Sequence, residues 1–324
     1  MWNALVDRQT GYANFTPELM SAMRGMELAV IGAGGNGAVM EHLVRLGFER
    51  FTIIDPDVVE PTNLNRLPFG TDKIGLPKVA AWRDYLLSVN PASKVIPHEM
   101  SIDRDLAPWL REVLSGADLV FAGTTDVEAN IVVGRICAEL GKRMIVGPAS
   151  SGAWVVSTFT HEGGMTLEAA ARLGTEGQRL TEIDYAAAAR KFRDLTFYPG
   201  REGKYAPGVV EAMFRGDLPA RSCKVFVSLT NAAMAFEAVK NTAALRGLPF
   251  RGSAVTAMPV FHVFDPYSGC SYYHNAQTGE IGIPDWITGA VRWQRYEAPD
   301  DGETRQAAGC RNEAENHEPR GSHE

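Results

Sequence analysis

The run Val30-Ile31-Gly32-Ala33-Gly34-Gly35-Asn36-Gly37 constrains this chain more than any other stretch. An apolar segment that ends in clustered glycines and then opens a helix brings backbone N–H groups to a helix N-terminus, where an anionic phosphate can approach them. Leu28 to Ile31 reads as a buried parallel strand, Asn36 to Leu46 as a helix stopped by Gly47, and Phe51 to Asp55 as a second strand. The three form a β-α-β unit whose first expectation is a nucleotide site. The glycines alone leave open whether that nucleotide serves hydride transfer or phosphate chemistry.

The alternation continues along the chain. Helices are expected over Val79 to Val89, Leu106 to Leu114 and Val127 to Leu140, with strands near Val95 to Met100, Asp118 to Ala122 and Met144 to Val146. Strands alternating with helices imply a parallel sheet covered on both faces, with ligands bound beyond the carboxyl ends of the strands. After residue 150 the pattern changes: Trp154 to Thr160 alternates as antiparallel strands do, Val225 to Leu245 is a long helix with Leu229, Ala232, Ala233, Phe236 and Val239 on its apolar face, and Val260 to Phe264 is a further strand. The expected fold is α/β, a Rossmann-like, doubly wound, mainly parallel sheet with an antiparallel C-terminal extension. An N-terminal arm over 1–26, a catalytic domain over 27–298 with a substrate-side insertion or crossover at 163–221, and a disordered tail over 299–324 complete the expected organisation.

Composition narrows the partners. Of the net charge of −7, the last 25 residues hold seven acidic groups against three arginines, so the remainder is only mildly acidic and nucleic acid ranks low as a partner. No apolar run approaches the roughly 20 residues needed to span a bilayer, which gives an expectation of no membrane and a cytoplasmic location. Cys137, Cys223, Cys270 and Cys310 are dispersed without any C-x-x-C pair, a spacing that offers neither a metal framework nor a disulfide framework. Cys137, among Ile136, Ala138 and Leu140, reads as a core residue.

The polar residues beyond the glycines carry the chemistry. Asp55, at the end of the second strand, suits a ribose, and serves NAD or ATP equally. Asn63, Arg66 and Lys78 then follow in one short stretch, and arginine and lysine are the side chains that neutralise a polyphosphate. Asp126, past a later strand, offers a carboxylate for magnesium or a cap for the next helix. A hydride-transfer enzyme has no use for the added cations as a set.

Together, Gly32, Gly34, Gly35 and Gly37, Asp55 with Asp57, Asn63-Leu64-Asn65-Arg66, Gly75 with Lys78, Asn90-Pro91 and Thr124-Thr125-Asp126 resemble the successive motifs of the ThiF/MoeB/HesA family, the prokaryotic relatives of ubiquitin-activating enzymes. The resemblance covers roughly residues 8 to 150, and Arg8-Gln9 matches the family's Arg-Gln pair. It implies an ATP-dependent adenylyltransferase that activates a carboxylate as an acyl-adenylate and releases pyrophosphate. The carboxylate would be the C-terminus of a small ubiquitin-like or sulfur-carrier protein, or of a peptide. Asp55 would bind the ribose and Asp57 would belong to the same cofactor-binding set, while Asn63, Arg66 and Lys78 would contact phosphates and Asp126 would organise Mg2+. Arg8 would reach the triphosphate of a neighbouring protomer, which implies a homodimer. Family members with a structural zinc carry two C-x-x-C pairs, and their absence here implies no zinc. Cys223 is the one candidate for a thioester-forming cysteine, and its match to the family position is poor. Two other readings stay open: an NAD-dependent oxidoreductase, and a catalytically silent nucleotide-binding partner.

Overall fold

The computed structural model describes residues 2–147, 149–150, 153–160, 165–196, 205–206, 208–215, 217–219, 221–266, 269–285 and 290–295. The acidic tail and Cys310 lie outside that set, as do parts of the expected insertion. Among the described residues eleven strands form one sheet: β1 (Glu27–Ile31), β2 (Arg50–Ile54), β3 (Lys94–His98), β4 (Leu119–Ala122), β5 (Arg143–Val146), β6 (Ala149–Ser150), β7 (Ala153–Phe159), β8 (Val260–Asp265), β9 (Cys270–Asn275), β10 (Glu280–Pro284) and β11 (Val291–Arg295). Their order is β11-β10-β9-β8-β7-β5-β4-β1-β2-β3, with β6 paired to β7. The five strands from β3 to β5 are parallel, and β7 turns antiparallel against β5 to begin the extension.

The helices are α1 (Trp2–Val6), α2 (Pro17–Gly25), α3 (Val39–Leu46), α4 (Lys78–Val89), α5 (Ala107–Ser115), α6 (Val127–Glu139), α7 (Leu167–Ala170), α8 (Tyr185–Thr196), α9 (Val209–Arg215) and α10 (Lys224–Leu245). Strand β1 shows why both faces of the sheet need them. Successive side chains of a strand point to opposite faces, so Leu28 and Val30 enter the core under α2, α3, α4 and α10, while Ala29 and Ile31 enter the one under α5 and α6. All four are at most 2% exposed. Such double burial is the reason the sequence of β1 is an unbroken apolar run.

The chain between the two halves docks on α6. Arg135 forks onto both carboxylate oxygens of Glu168 at 2.9 and 2.7 Å and also donates to the carbonyls of Gln178 and Thr175. Val127 and Ile131 of α6 pack there with Ala171, Leu173, Ile183 and Ala188. This segment therefore stands beside the N-terminus of α6.

Helix α10 departs from the expected orientation. The buried stripe holds Val227, Thr230, Asn231, Met234, Ala235, Ala238 and Val239, whereas Ala232 and Phe236 face outward, Phe236 being 46% exposed. Nearly every side of this helix is apolar, so periodicity does not select a face; Glu237 and Lys240 are buried on it with partners. Glu237 accepts from the N–H and hydroxyl of Thr256 and pairs with Lys240, which in turn donates to the Ala254 carbonyl. Among the described residues no helix is long and apolar enough to cross a membrane. Cys137 is buried in the core, where desolvation pushes its thiol up to about 12. The cysteine spacing misled in one respect: Cys270 is disulfide-bonded, its partner outside the described residues, because spacing along a chain does not fix which thiols meet in space.

Burial also sets the acid stability of the extension. His262 on β8 and His274 on β9 are held neutral by desolvation, each with its pKa lowered to about 4, and Lys240 adds to the effect at His262. An unfolded chain binds these protons near pH 6.5 and the folded one does not, so stability is full above pH 6.5 and falls as pH drops from there toward 4. The loss is at most about 3 kcal/mol per imidazole. Thermal melts between pH 7 and 4.5 should show this slope, and His274→Phe should flatten it; an unchanged slope would remove His274 as a source.

Candidate active site

The glycine loop leaves the carboxyl end of β1 and closes on itself. Gly32 has φ +91°, and a Cβ there would lie 2.8 Å from the Thr124 nitrogen; a Cβ on Gly37 would lie 2.4 Å from the Gly32 carbonyl oxygen. Glycine is thus required at both positions by backbone sterics. A short 3-10 turn over Asn36–Ala38 leads into α3, and the first N–H groups of a helical segment have no carbonyl within it to bond. Trp82 of α4 and Asn231 of α10 hold this loop from two sides, donating to the carbonyls of Ala33 and Gly35 at 2.9 Å each.

Asp55 is tied into the loop. Its Oδ2 accepts from the Ala33 N–H at 2.6 Å, and its Oδ1 accepts from the Asp57 N–H at 2.9 Å. Burial raises its pKa above the usual carboxylate range, while those two N–H groups and the Lys78 ammonium oppose the rise. Lys78, first residue of α4, is buried and lies 2.6 Å from Asp57 and 3.9 Å from Asp55. Each Asp55 oxygen keeps a second lone pair for a hydroxyl.

Arg66 approaches from the other side. A Cβ on Gly35 would touch its Cδ at 3.5 Å, so its stem packs on the loop. Nη1 donates to two neutral oxygens, Thr62 O and Asn65 Oδ1, at 2.8 Å each. Among the described residues it forms no salt bridge. Burial lowers its pKa, countered by Glu60, and a guanidinium stays charged regardless. Its own carbonyl accepts from Lys224, and Asn65 donates to the Ser222 carbonyl, which joins this stretch to the start of α10.

Asp126 reaches the same place through β4. Gly32 packs directly on Gly123 and Thr124, so the turn that carries Asp126 two residues on begins beside the glycine loop. It caps α6, Oδ1 accepting from the N–H groups of Glu128 and Ala129 at 2.8 and 3.2 Å, and it is exposed. Asn130 fixes this turn by donating to the Thr124 and Asp126 carbonyls.

Two residues singled out from the sequence make other contacts in this structure. Asn63 is 4% exposed, and its Oδ1 accepts the Glu60 N–H at 3.2 Å, which makes it a turn-forming residue in this conformation. Arg8 follows α1, where Trp2 and Gln9 donate to the carbonyls of Gly47 and Arg45 at the C-terminal end of α3. That is the far end of an eight-residue helix, about 12 Å from the glycine loop at 1.5 Å per residue. Cys223 is the N-cap residue of α10 and is half-buried. Asn231 carried no signal in the sequence, since its helix shows no polar face to mark it.

The model of the ThiF family matches residues 6–253. A Caenorhabditis elegans ubiquitin-like modifier-activating enzyme 5 is 33% identical over 126 residues, 36% of this chain and 30% of that protein. The SAMP-activating enzyme E1 of Haloferax volcanii is 28% identical over 133 residues, 40% of this chain and 48% of that one. The chain thus spans between about a third and a half of these two relatives' length. Among solved structures, Escherichia coli MccB with ATP superposes with a TM-score of 0.58 at 15% identity, covering 80% of this chain and 66% of that one, a likeness of fold.

Proposed function

The chain belongs to the ThiF family, and from that premise and the chemistry of the cleft we propose that it is an ATP-dependent adenylyltransferase that joins a carboxylate to AMP. One observation carries the reading beyond a generic nucleotide fold. Arg66 is a half-buried guanidinium that, among the described residues, is bonded only to neutral oxygens, and it packs against a glycine loop that also adjoins Lys78. Dinucleotide binding has no need of that pair of cations; a triphosphate does.

In this reading the ribose hydroxyls bond Asp55, and the polyphosphate lies along the glycine loop between Arg66 and Lys78, which leaves Asp57 for it. A substrate carboxylate oxygen attacks the α-phosphorus, the bond from that phosphorus to the bridging oxygen breaks, and pyrophosphate departs with the electron pair. The reaction asks mainly for alignment and for neutralisation of the developing phosphate charge. Arg66 and Lys78 supply both. Magnesium commonly binds through one or two carboxylates plus phosphate oxygens and water. The exposed Asp126 fits that demand, and the ion, when bound, would neutralise further phosphate charge.

The carboxylate source in this reading is a small ubiquitin-like or sulfur-carrier protein, or a peptide, and the name of the Caenorhabditis elegans relative, a ubiquitin-like modifier-activating enzyme, supports the first of these. Anchorage of Arg8 at the distal end of α3 favours its acting on a second copy of the chain, in a homodimer. ATP–pyrophosphate exchange with magnesium and a panel of carriers ending in Gly-Gly and of short peptides tests the reading. Exchange that depends on the carboxylate is expected. Binding of ATP without exchange to any of them would favour a silent partner, and binding of NAD in preference to ATP an oxidoreductase.

A further inference from the structure

Asn231 lies 1% exposed on the buried stripe of α10, and its amide is only half used. Nδ2 donates to the Gly35 carbonyl at 2.9 Å, while Oδ1 is buried without a hydrogen-bond partner among the described residues. A buried amide oxygen left without a bond costs stability that a leucine of similar size would not. Packing therefore does not account for this residue, and its one bond falls on the loop proposed to cradle the polyphosphate.

A trans peptide sets its C=O and N–H in opposite directions. Gly35 has φ −54° and ψ −46° at the start of the 3-10 turn, so the carbonyl drawn toward α10 leaves the Asn36 N–H directed away from that helix. Ala38 donates to the same carbonyl at 3.2 Å, which reinforces the orientation from within the turn. We propose that Asn231 is a positioning residue for the triphosphate of ATP, locking the Gly35–Asn36 peptide plane so that its N–H faces the polyphosphate. The inference rests on the adenylation reading. Helix α10 is built for such a role, because Lys224 on the same helix donates to the Arg66 carbonyl at 3.3 Å and Val227 lies against Gly35. One helix thereby sets the loop and its facing arginine together.

Asn231→Asp keeps the shape and removes the donor; Asn231→Leu keeps the volume and removes the amide. Calorimetric titration of each full-length variant with ATP and magnesium, alongside competition by adenosine, separates a phosphate effect from a nucleoside or folding effect. The expected result is ATP affinity reduced at least tenfold in a folded variant while adenosine affinity stays within twofold of wild type. A folded Asn231→Leu protein that binds ATP as wild type does would overturn the proposal, as would equal losses of ATP and adenosine. Failure of the wild-type protein to bind ATP would instead overturn the adenylation reading, and this inference with it.

Discussion

Lys78→Met should lower ATP–pyrophosphate exchange by roughly 100- to 1,000-fold, the usual consequence of removing one preorganised stabiliser of transition-state charge. Lys78 stands 2.6 Å from Asp57 and only 10% of its side chain is exposed, so its charge acts where water screens it little. Methionine retains the length of the stem without the charge. The substitution also leaves Asp55, already raised by burial, without the ammonium that opposes the rise. Some stability is therefore lost too, and a thermal melt must accompany the assay. A folded variant with exchange within threefold of wild type would show that the ammonium does not face the polyphosphate.

The same variant reports on Arg8. If Arg8 completes the site of a neighbouring protomer, mixing Lys78→Met chains with Arg8→Ala chains and allowing exchange of subunits restores some activity. The mixed dimer then holds one site with an intact Lys78 in one chain and an intact Arg8 in the other. Both residues needed in the same chain would give no recovery. The anchorage of the Arg8 segment on Arg45 and Gly47 favours recovery.

The parallel half of the fold was legible because its central strands β1, β4 and β5 have two buried faces. A run such as Leu28-Ala29-Val30-Ile31 has few alternatives, and a glycine loop after it fixes where a ligand can approach. Asp55 and Lys78 were legible through their spacing from those glycines, and they meet beside the loop. Arg66 was equally legible, although its present partners are neutral oxygens. Asn63 does a job the sequence did not announce: its Oδ1 closes the turn through the Glu60 N–H. Helix α10 shows the limit of such reasoning. Its buried Asn231, Glu237 and Lys240 are bonded by segments outside the helix, and no local pattern announces those partners.

Gly34→Ala and Gly37→Ala should separate the two jobs of the glycine loop. A Cβ on Gly37 would sit 2.4 Å from the Gly32 carbonyl oxygen, a backbone atom that cannot swing aside. Gly37→Ala should therefore cost roughly 3 kcal/mol, the upper part of the range for overpacking, and lower Tm by about 5 to 10 °C. Gly34 has nothing within 4 Å of such a Cβ and no left-handed φ. Alanine there fits the folded chain and restricts the unfolded one, so Tm should hold or rise slightly. Its methyl group, however, would occupy space through which phosphate oxygens must come to within about 2.9 Å of the loop nitrogens. Binding of ATP should weaken by on the order of 100-fold, about 2.7 kcal/mol, in a protein as stable as wild type. That pairing of intact folding with lost binding is what a phosphate cradle demands. Undiminished ATP binding by Gly34→Ala would mean that the open side of the loop is not where the nucleotide lies.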